Sequence, residues 1–195
     1  MIEFKSRFIE LFGEVSKNEK GWDVDKLSSI SEVTSSRRVF AKDFVESGIP
    51  FYRGSEISEL SEFGHTVPKY FISKDHYDNL VSTSGKPVYG DILLPSICAN
   101  GELWVVNTNE PFYIKDGRVL WIKVNQKLVN SVFLMYQLKS HLIINFNRMA
   151  SGSTFSEMKI FKLKKIPIML PPLDLQKQFV DFYSQVDKSK VIYDI

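Results

Sequence analysis

Glu157-Met158-Lys159 carries the residue types that a metal-dependent nuclease sets beside a further acid. The same Glu-x-Lys pattern recurs at Glu3-Phe4-Lys5 inside an amphipathic segment, so chance explains it far better than catalysis. His65, His76 and His141 are widely separated and show no metal-ligand spacing; each reads as a surface or core histidine. Cys98, the single cysteine, has no local histidine or lysine to activate it and reads as a small buried hydrophobe. A methyltransferase holds a flipped base with a polar group beside a Pro-Pro corner. Here Pro171-Pro172 is flanked by Leu170 and Leu173, which cannot hydrogen-bond a base. No Gly-x-x-x-x-Gly-Lys-Ser/Thr loop occurs. The expectation is a chain with no catalytic residue, no metal site and no cofactor.

The elements around these residues belong to one mixed body. With 195 residues, 44% of them hydrophobic and 13% aromatic, the chain can bury a sizeable core. A formal net charge of +2 argues against gripping an anionic partner by bulk charge, so any nucleic-acid contact must come from a local patch. One cysteine excludes an internal disulfide and fits a reducing cytoplasm. No apolar run reaches membrane-spanning length, and Met1-Ile2-Glu3-Phe4-Lys5 lacks the apolar segment of a signal peptide. A soluble cytoplasmic chain without membrane contact is expected.

Three zones are expected, at 1–20, 21–172 and 173–195. Phe4, Phe8, Leu11 and Val15 are spaced four, three and four apart, the seam of an amphipathic helix over 2–15 that Gly13 ends or frays. Residues 16–21 form a polar linker. In the middle zone, 49–53, 90–94, 103–106 and 118–124 are β-branched and aromatic runs bounded by Gly, Pro or Asn, hence strands. Asn100-Gly101 reads as a tight hairpin turn between two of them. Helices are expected at 74–81, capped by Ser73, and at 129–146. Helices and strands do not alternate, so the fold class is α+β rather than a wound parallel sheet. After Pro171-Pro172, with Asp174 as N-cap, Leu175, Phe179, Phe182 and Val186 form a second seam with heptad-like spacing, giving coiled-coil-like helices at both ends.

The order of landmarks resembles a family. Phe4–Gly13 with Lys20-Gly21-Trp22, then Gly48-Ile49-Pro50-Phe51-Tyr52-Arg53-Gly54-Ser55-Glu56-Ile57, Ile72-Ser73, Gly90-Asp91-Ile92-Leu93-Leu94 and Leu170-Pro171-Pro172-Leu173 with Gln176 and Gln178 resemble a target recognition domain. Such domains belong to the DNA-specificity subunits of type I restriction-modification enzymes. One stretch departs: Ser96-Ile97-Cys98-Ala99-Asn100-Gly101 stands where many relatives have a Gly-Thr-x-Gly turn. The resemblance implies a non-catalytic subunit of a type I site-specific deoxyribonuclease complex. It would recognise one half of a bipartite site in double-stranded DNA and direct methylation and cleavage by methyltransferase and restriction/translocase partners. Full-size subunits carry two recognition domains, so a homodimer or a second domain would complete the site. The family's helices also dock the methyltransferase subunits, which implies a subunit interface at Phe4, Phe8, Leu11, Leu175, Phe179, Phe182 and Val186, although these seams could equally cover the chain's own core. A stand-alone DNA-modifying enzyme and an interaction module that never touches DNA are the alternatives.

A DNA reader needs phosphate donors and a few side chains that reach base edges. Arg37 and Arg38, beside Ser35 and Ser36, sit in a loop and could fork onto guanine or simply be solvated. Arg53 and Ser55 follow a strand as a polar tip, with an ion pair to Glu56 as the structural alternative. Ser96 and Asn100 lie in the departing loop. Arg148 precedes Ser151, Ser153 and Thr154, which open toward a helix near 155–164 and could bind phosphate or merely cap that helix. Lys159, Lys162, Lys164 and Lys165 could flank the DNA backbone or solvate a face.

Overall fold

The computed structural model describes the backbone of residues 2–15, 17–149 and 157–193, and the side chains of 7–15, 17–145 and 157–185. The first part of the chain runs helix α1 (Ile2–Phe12), strand β1 (Val24–Lys26), the single turn α2 (Leu27–Ile30) and β2 (Ser31–Thr34). A 3-10 turn at Ala41–Asp43 leads to β3 (Phe44–Val45), β4 (Ile49–Tyr52), α3 (Gly54–Phe63), β5 (Phe71–Ile72) and α4 (Lys74–Ser84). Next come β6 (Ile92–Pro95), β7 (Trp104–Val105), β8 (Tyr113–Ile114) and β9 (Val119–Val124). The chain ends in α5 (Ser131–Met149), α6 (Ile160–Leu163), β10 (Pro167–Met169) and α7 (Leu173–Tyr193).

A four-stranded antiparallel sheet ordered β2-β9-β6-β7 carries the body. Strand β9 opens with the buried apolar run Val119–Ile122 because both its faces are covered there. Side chains alternate across a strand, so Ile92, Leu94, Leu120 and Ile122 face a large cluster with Phe8, Phe12, Phe133 and Phe179 of α1, α5 and α7. Leu93, Val119 and Trp121 face the other way, onto Ile57 and Leu60 of α3. A second sheet, β3-β5-β4-β8, is antiparallel except for the parallel pair β4–β8, and packs Phe51, Ile72 and Tyr113 against Tyr77 and Leu80 of α4. Strands β1 and β10 pair antiparallel, tying the start of the body to its end. The α+β class holds.

Two landmark residues, Asp91 and Gln176, and a third polar residue, Gln137, are explained by polar burial. Asp91 accepts from Val88 N at 3.0 Å, Trp121 Nε1 at 2.8 Å and Val124 N at 3.3 Å, which locks β6 to β9. Gln137 exchanges two hydrogen bonds with the backbone of Met169, fixing α5 on β10. Gln176, fully buried, accepts from Asn130 N and donates to Pro171 O, both at 2.8 Å, fixing α7 against the start of α5. Each is a buried polar group with its partners supplied.

Several expectations are corrected. Asn100-Gly101 is no tight hairpin: β6 and β7 are joined by the longer loop 96–103, in which Gly101 N closes a turn on Cys98 O at 3.0 Å. Asp174 lies inside the first turn of α7, whose opening carbonyl is that of Pro172, bonded to Leu175 N. The polar tip after β4 is the first turn of α3. Ser73 does cap α4, accepting from His76 N at 3.2 Å. Among the described residues no helix is long and apolar enough to cross a membrane.

Candidate nucleic-acid interface

The loop 35–40 leaves β2 with two serines whose hydroxyls are consumed within the fold. Ser35 Oγ donates to Val119 O and accepts from Gly117 N, both at 2.9 Å, and Ser36 Oγ donates to Ile114 O at 2.6 Å. They staple the loop to the β8–β9 turn instead of pointing at a ligand. Arg37 N adds a bond to Tyr113 Oη at 3.2 Å. This pinning presents Arg37 and Arg38 outward, both exposed, at a shallow depression edged by Asn79, Leu80 and Thr83 of α4. Arg38 leans on Asp116 at 3.0 Å, whereas the Arg37 guanidinium makes no ion pair among the described residues.

The stapled turn, Lys115-Asp116-Gly117-Arg118, carries two further cations into a second depression of about 390 Å³. Gly117 takes φ +63°, a conformation that suits glycine. The start of α3 supplies Arg53, Gly54, Ser55 and Ser58 to this depression, and the loop after β6 supplies Ser96 and Ile97. Arg53 is half-buried: its guanidinium bonds Glu56 at 3.2 and 3.4 Å and lies 4.3 Å from the centre of the Tyr70 ring. Burial pushes the Glu56 carboxyl up, but hydrogen bonds from Arg53 and Ser55 outweigh it and hold it below the usual carboxylate range. Ser55 is exposed, with its hydroxyl on Glu56 at 2.9 Å.

Of the residues expected from sequence, Arg53, Ser55 and Ser96 come together at one depression, and Arg37 and Arg38 stand at its neighbour across the stapled turn. Ser96 is 3% exposed. Asn100 is exposed, with its side chain and amide on Glu102 at 3.2 Å, and does not edge either depression. Arg148 lies in α5 with its side chain outside the described residues; Ser151, Ser153 and Thr154 are outside them altogether. Lys115 and Arg118 were missed, although Asp116-Gly117 between apolar runs is a strong turn signal. Glu157, bonded to Arg118 and to Lys159 at 2.9 Å, is an ion-pair partner. Its carboxyl is held below the ordinary value chiefly by Lys159. Burial pushes the Cys98 thiol up to about 12, which keeps it an inert hydrophobe. No group of His, Cys, Asp or Glu suited to a metal occurs among the described residues.

The helical seams face inward. Phe8 and Phe179, 2% and 0% exposed, belong to the aromatic cluster with Phe12, Phe133 and Tyr136, so the expectation that they line a subunit interface is corrected: α1 and α7 spend these rings on the chain's own core. Leu11 and Leu175 pack at the edge of that core with part of their surface open; Phe182 is also partly open, and its ring centre lies 5.9 Å from the Arg7 guanidinium carbon. Phe4 and Val186 lie in α1 and α7 with side chains outside the described set.

Residues 19–192 match the family model of the type I restriction modification DNA specificity domain. The chain belongs to this family. A type I restriction enzyme specificity subunit of Haemophilus influenzae is 27% identical over 165 residues, covering 84% of this chain and 40% of that protein. The HsdS subunit of Thermoanaerobacter tengcongensis superposes with a TM-score of 0.64 at 18% identity, over 96% of this chain and 43% of that one. A chain from a structure of type I R-M complex assembly and conformational transition gives 0.67 at 18% identity, over 98% and 45%. The S subunit of M. genitalium gives 0.58 at 12% identity, over 91% and 42%. The three superpositions share the fold of this specificity domain. The chain spans less than half the length of the relatives it matches.

Proposed function

We propose that this specificity domain binds double-stranded DNA, reads one half of a bipartite target, and directs methylation and cleavage by methyltransferase and restriction/translocase partner subunits. The observation that carries the proposal is the gathering of Arg37, Arg38, Lys115 and Arg118 at two depressions on either side of one hydrogen-bonded turn, with the first turn of α3 beside it. Guanidinium groups on pinned loops can fork onto guanine edges or phosphates. The groups gathered there are donors and ion pairs; in this proposal bond-making belongs to the partner subunits, and the domain itself carries no cofactor. Residues 21–172 form the recognition body, while 1–20 and 173–195 act as spacers whose partly open residues Leu11, Leu175 and Phe182 are offered to partners in the cytoplasm. A second recognition domain, in the same polypeptide or in another copy, supplies the other half-site.

Methylome sequencing of a host carrying this chain with its methyltransferase partner is expected to reveal a split motif, one half of which changes when Arg37 and Arg38 are replaced. Purified chain with DNA and a labelled methyl donor, without partners, is expected to transfer nothing; turnover there defeats the proposal. The isolated chain is also expected to bind DNA with a shallow salt dependence. A slope implying about ten or more neutralised phosphates contradicts a local patch.

A further inference from the structure

We infer that the depression at the start of α3 seats one phosphate group of the DNA backbone, between the Gly54 and Ser55 amides, the Ser96 hydroxyl and the Lys115 ammonium. This assignment rests on the DNA-binding proposal and gives it a defined contact.

Helix α3 has 10 residues, so its first turn leaves backbone N–H groups without intrahelical acceptors. Arg53 N is satisfied by Glu56 at 3.0 Å, whereas the amides of Gly54 and Ser55 have no acceptor among the described residues. A Cβ on Gly54 would stand 3.2 Å from Pro95 Cβ, so glycine is what lets the helix start press this close to the end of β6, where the loop 96–103 begins.

That loop brings the second, independent feature. Ser96 is 3% exposed, its amide donates to Arg118 O at 2.8 Å, and its carbonyl accepts from Met158 N at 2.7 Å. Ser96 lines the depression, and its hydroxyl bonds no group among the described residues, so it is free to donate to a ligand there. Lys115 makes no ion pair among the described residues. The nearby Glu56 charge is matched by Arg53, and Glu157 by Arg118 and Lys159, so no unpaired carboxylate lines the depression itself. The residues that carry these two amides, the hydroxyl and the ammonium line one depression, a donor set that suits a tetrahedral anion with several acceptor oxygens.

The test is an amide NMR titration of the full chain with inorganic phosphate, against chloride at equal ionic strength. Gly54 and Ser55 are expected to shift saturably, while Lys74 and Asp75 at the start of α4 stay put. Ser96→Ala and Lys115→Ala should each weaken the phosphate effect about tenfold, as for one lost hydrogen bond to a charged group, with unchanged Tm. With a mixed-sequence duplex, Lys115→Ala should lower the salt slope by about one. No shift at Gly54 and Ser55, or an equal shift in α4, overturns the seat even where the duplex binds. A saturable phosphate effect with no duplex binding overturns the DNA assignment and marks a free-anion site instead.

Discussion

Around Phe12, rings from α1, α5 and α7 meet at centroid distances of 4.9 Å to Phe8 and Phe133 and 5.9 Å to Phe179. Around Gly117, by contrast, hydroxyls, backbone carbonyls and ion pairs hold short loops in place, and the long side chains there point to solvent. Both regions lean on the same β9, which reaches one with Leu120 and Ile122 and begins beside the other at Val119. Apolar interdigitation resists change, because a ring removed leaves a cavity. Polar stapling fixes the backbone of a loop while leaving its outward side chains free to differ. Under the proposed function, a scaffold that persists while the target it reads varies needs one region of each kind.

The sharpest way to break this contrast is at the rings. Phe12→Ala is expected to cost about 3–5 kcal/mol, since a fully buried phenyl touching three other rings leaves a void the helices fill poorly. Denaturant unfolding checks it. A loss under about 1 kcal/mol, the scale of an exposed substitution, would show that α1 sits loosely on the body.

Glu56→Gln comes next, at about 1–3 kcal/mol, because the buried carboxylate accepts from Arg53 and Ser55 and an amide cannot accept from all of them. Its pH dependence has a definite sign. The folded carboxyl is held low, so its contribution is present above the unfolded carboxylate pKa and is lost as pH falls through the lower folded value. Asp91 behaves oppositely: burial pushes it up despite its three hydrogen bonds, so its contribution is fullest in acid and is lost as pH rises through the raised value. Melting curves across the acid range are therefore expected to flatten in Glu56→Gln and steepen in Asp91→Asn. Parallel curves for both variants would refute the assignment.

What the sequence made legible follows the same division. Helix α4 with its Ser73 cap, the two seams and strand β9 announce themselves through periodicity and capping chemistry, which are local. The loop staples do not, because Ser35 finds Val119 across 84 positions, and no pattern in Ser35-Ser36 says which way a hydroxyl turns. Strands β3, β5 and β8 are two residues each, too short for alternation to register. Helix α3 was hidden because Arg53-Gly54-Ser55 is weak helix-start chemistry; Glu56, reaching back to Arg53 N, does the capping instead. Inward or outward orientation of Phe8 and Phe179 was likewise open, since a heptad seam can cover a core or a partner equally well.

The smallest stability effect is expected where the functional effect is greatest. Arg37→Ala with Arg38→Ala should change unfolding free energy by no more than about 0.5 kcal/mol. Arg37 has no ion pair among the described residues, and the Arg38–Asp116 pair is exposed on the arginine side, a class of contact that contributes little. The backbone of the loop stays stapled by Ser35 and Ser36, which the substitutions leave alone. DNA binding should nonetheless weaken, with the salt slope falling by about two if both arginines meet phosphates. It should fall by less, with relaxed sequence preference, if they reach bases. Loss of stability without loss of binding would invert the contrast, making the polar face a structural brace.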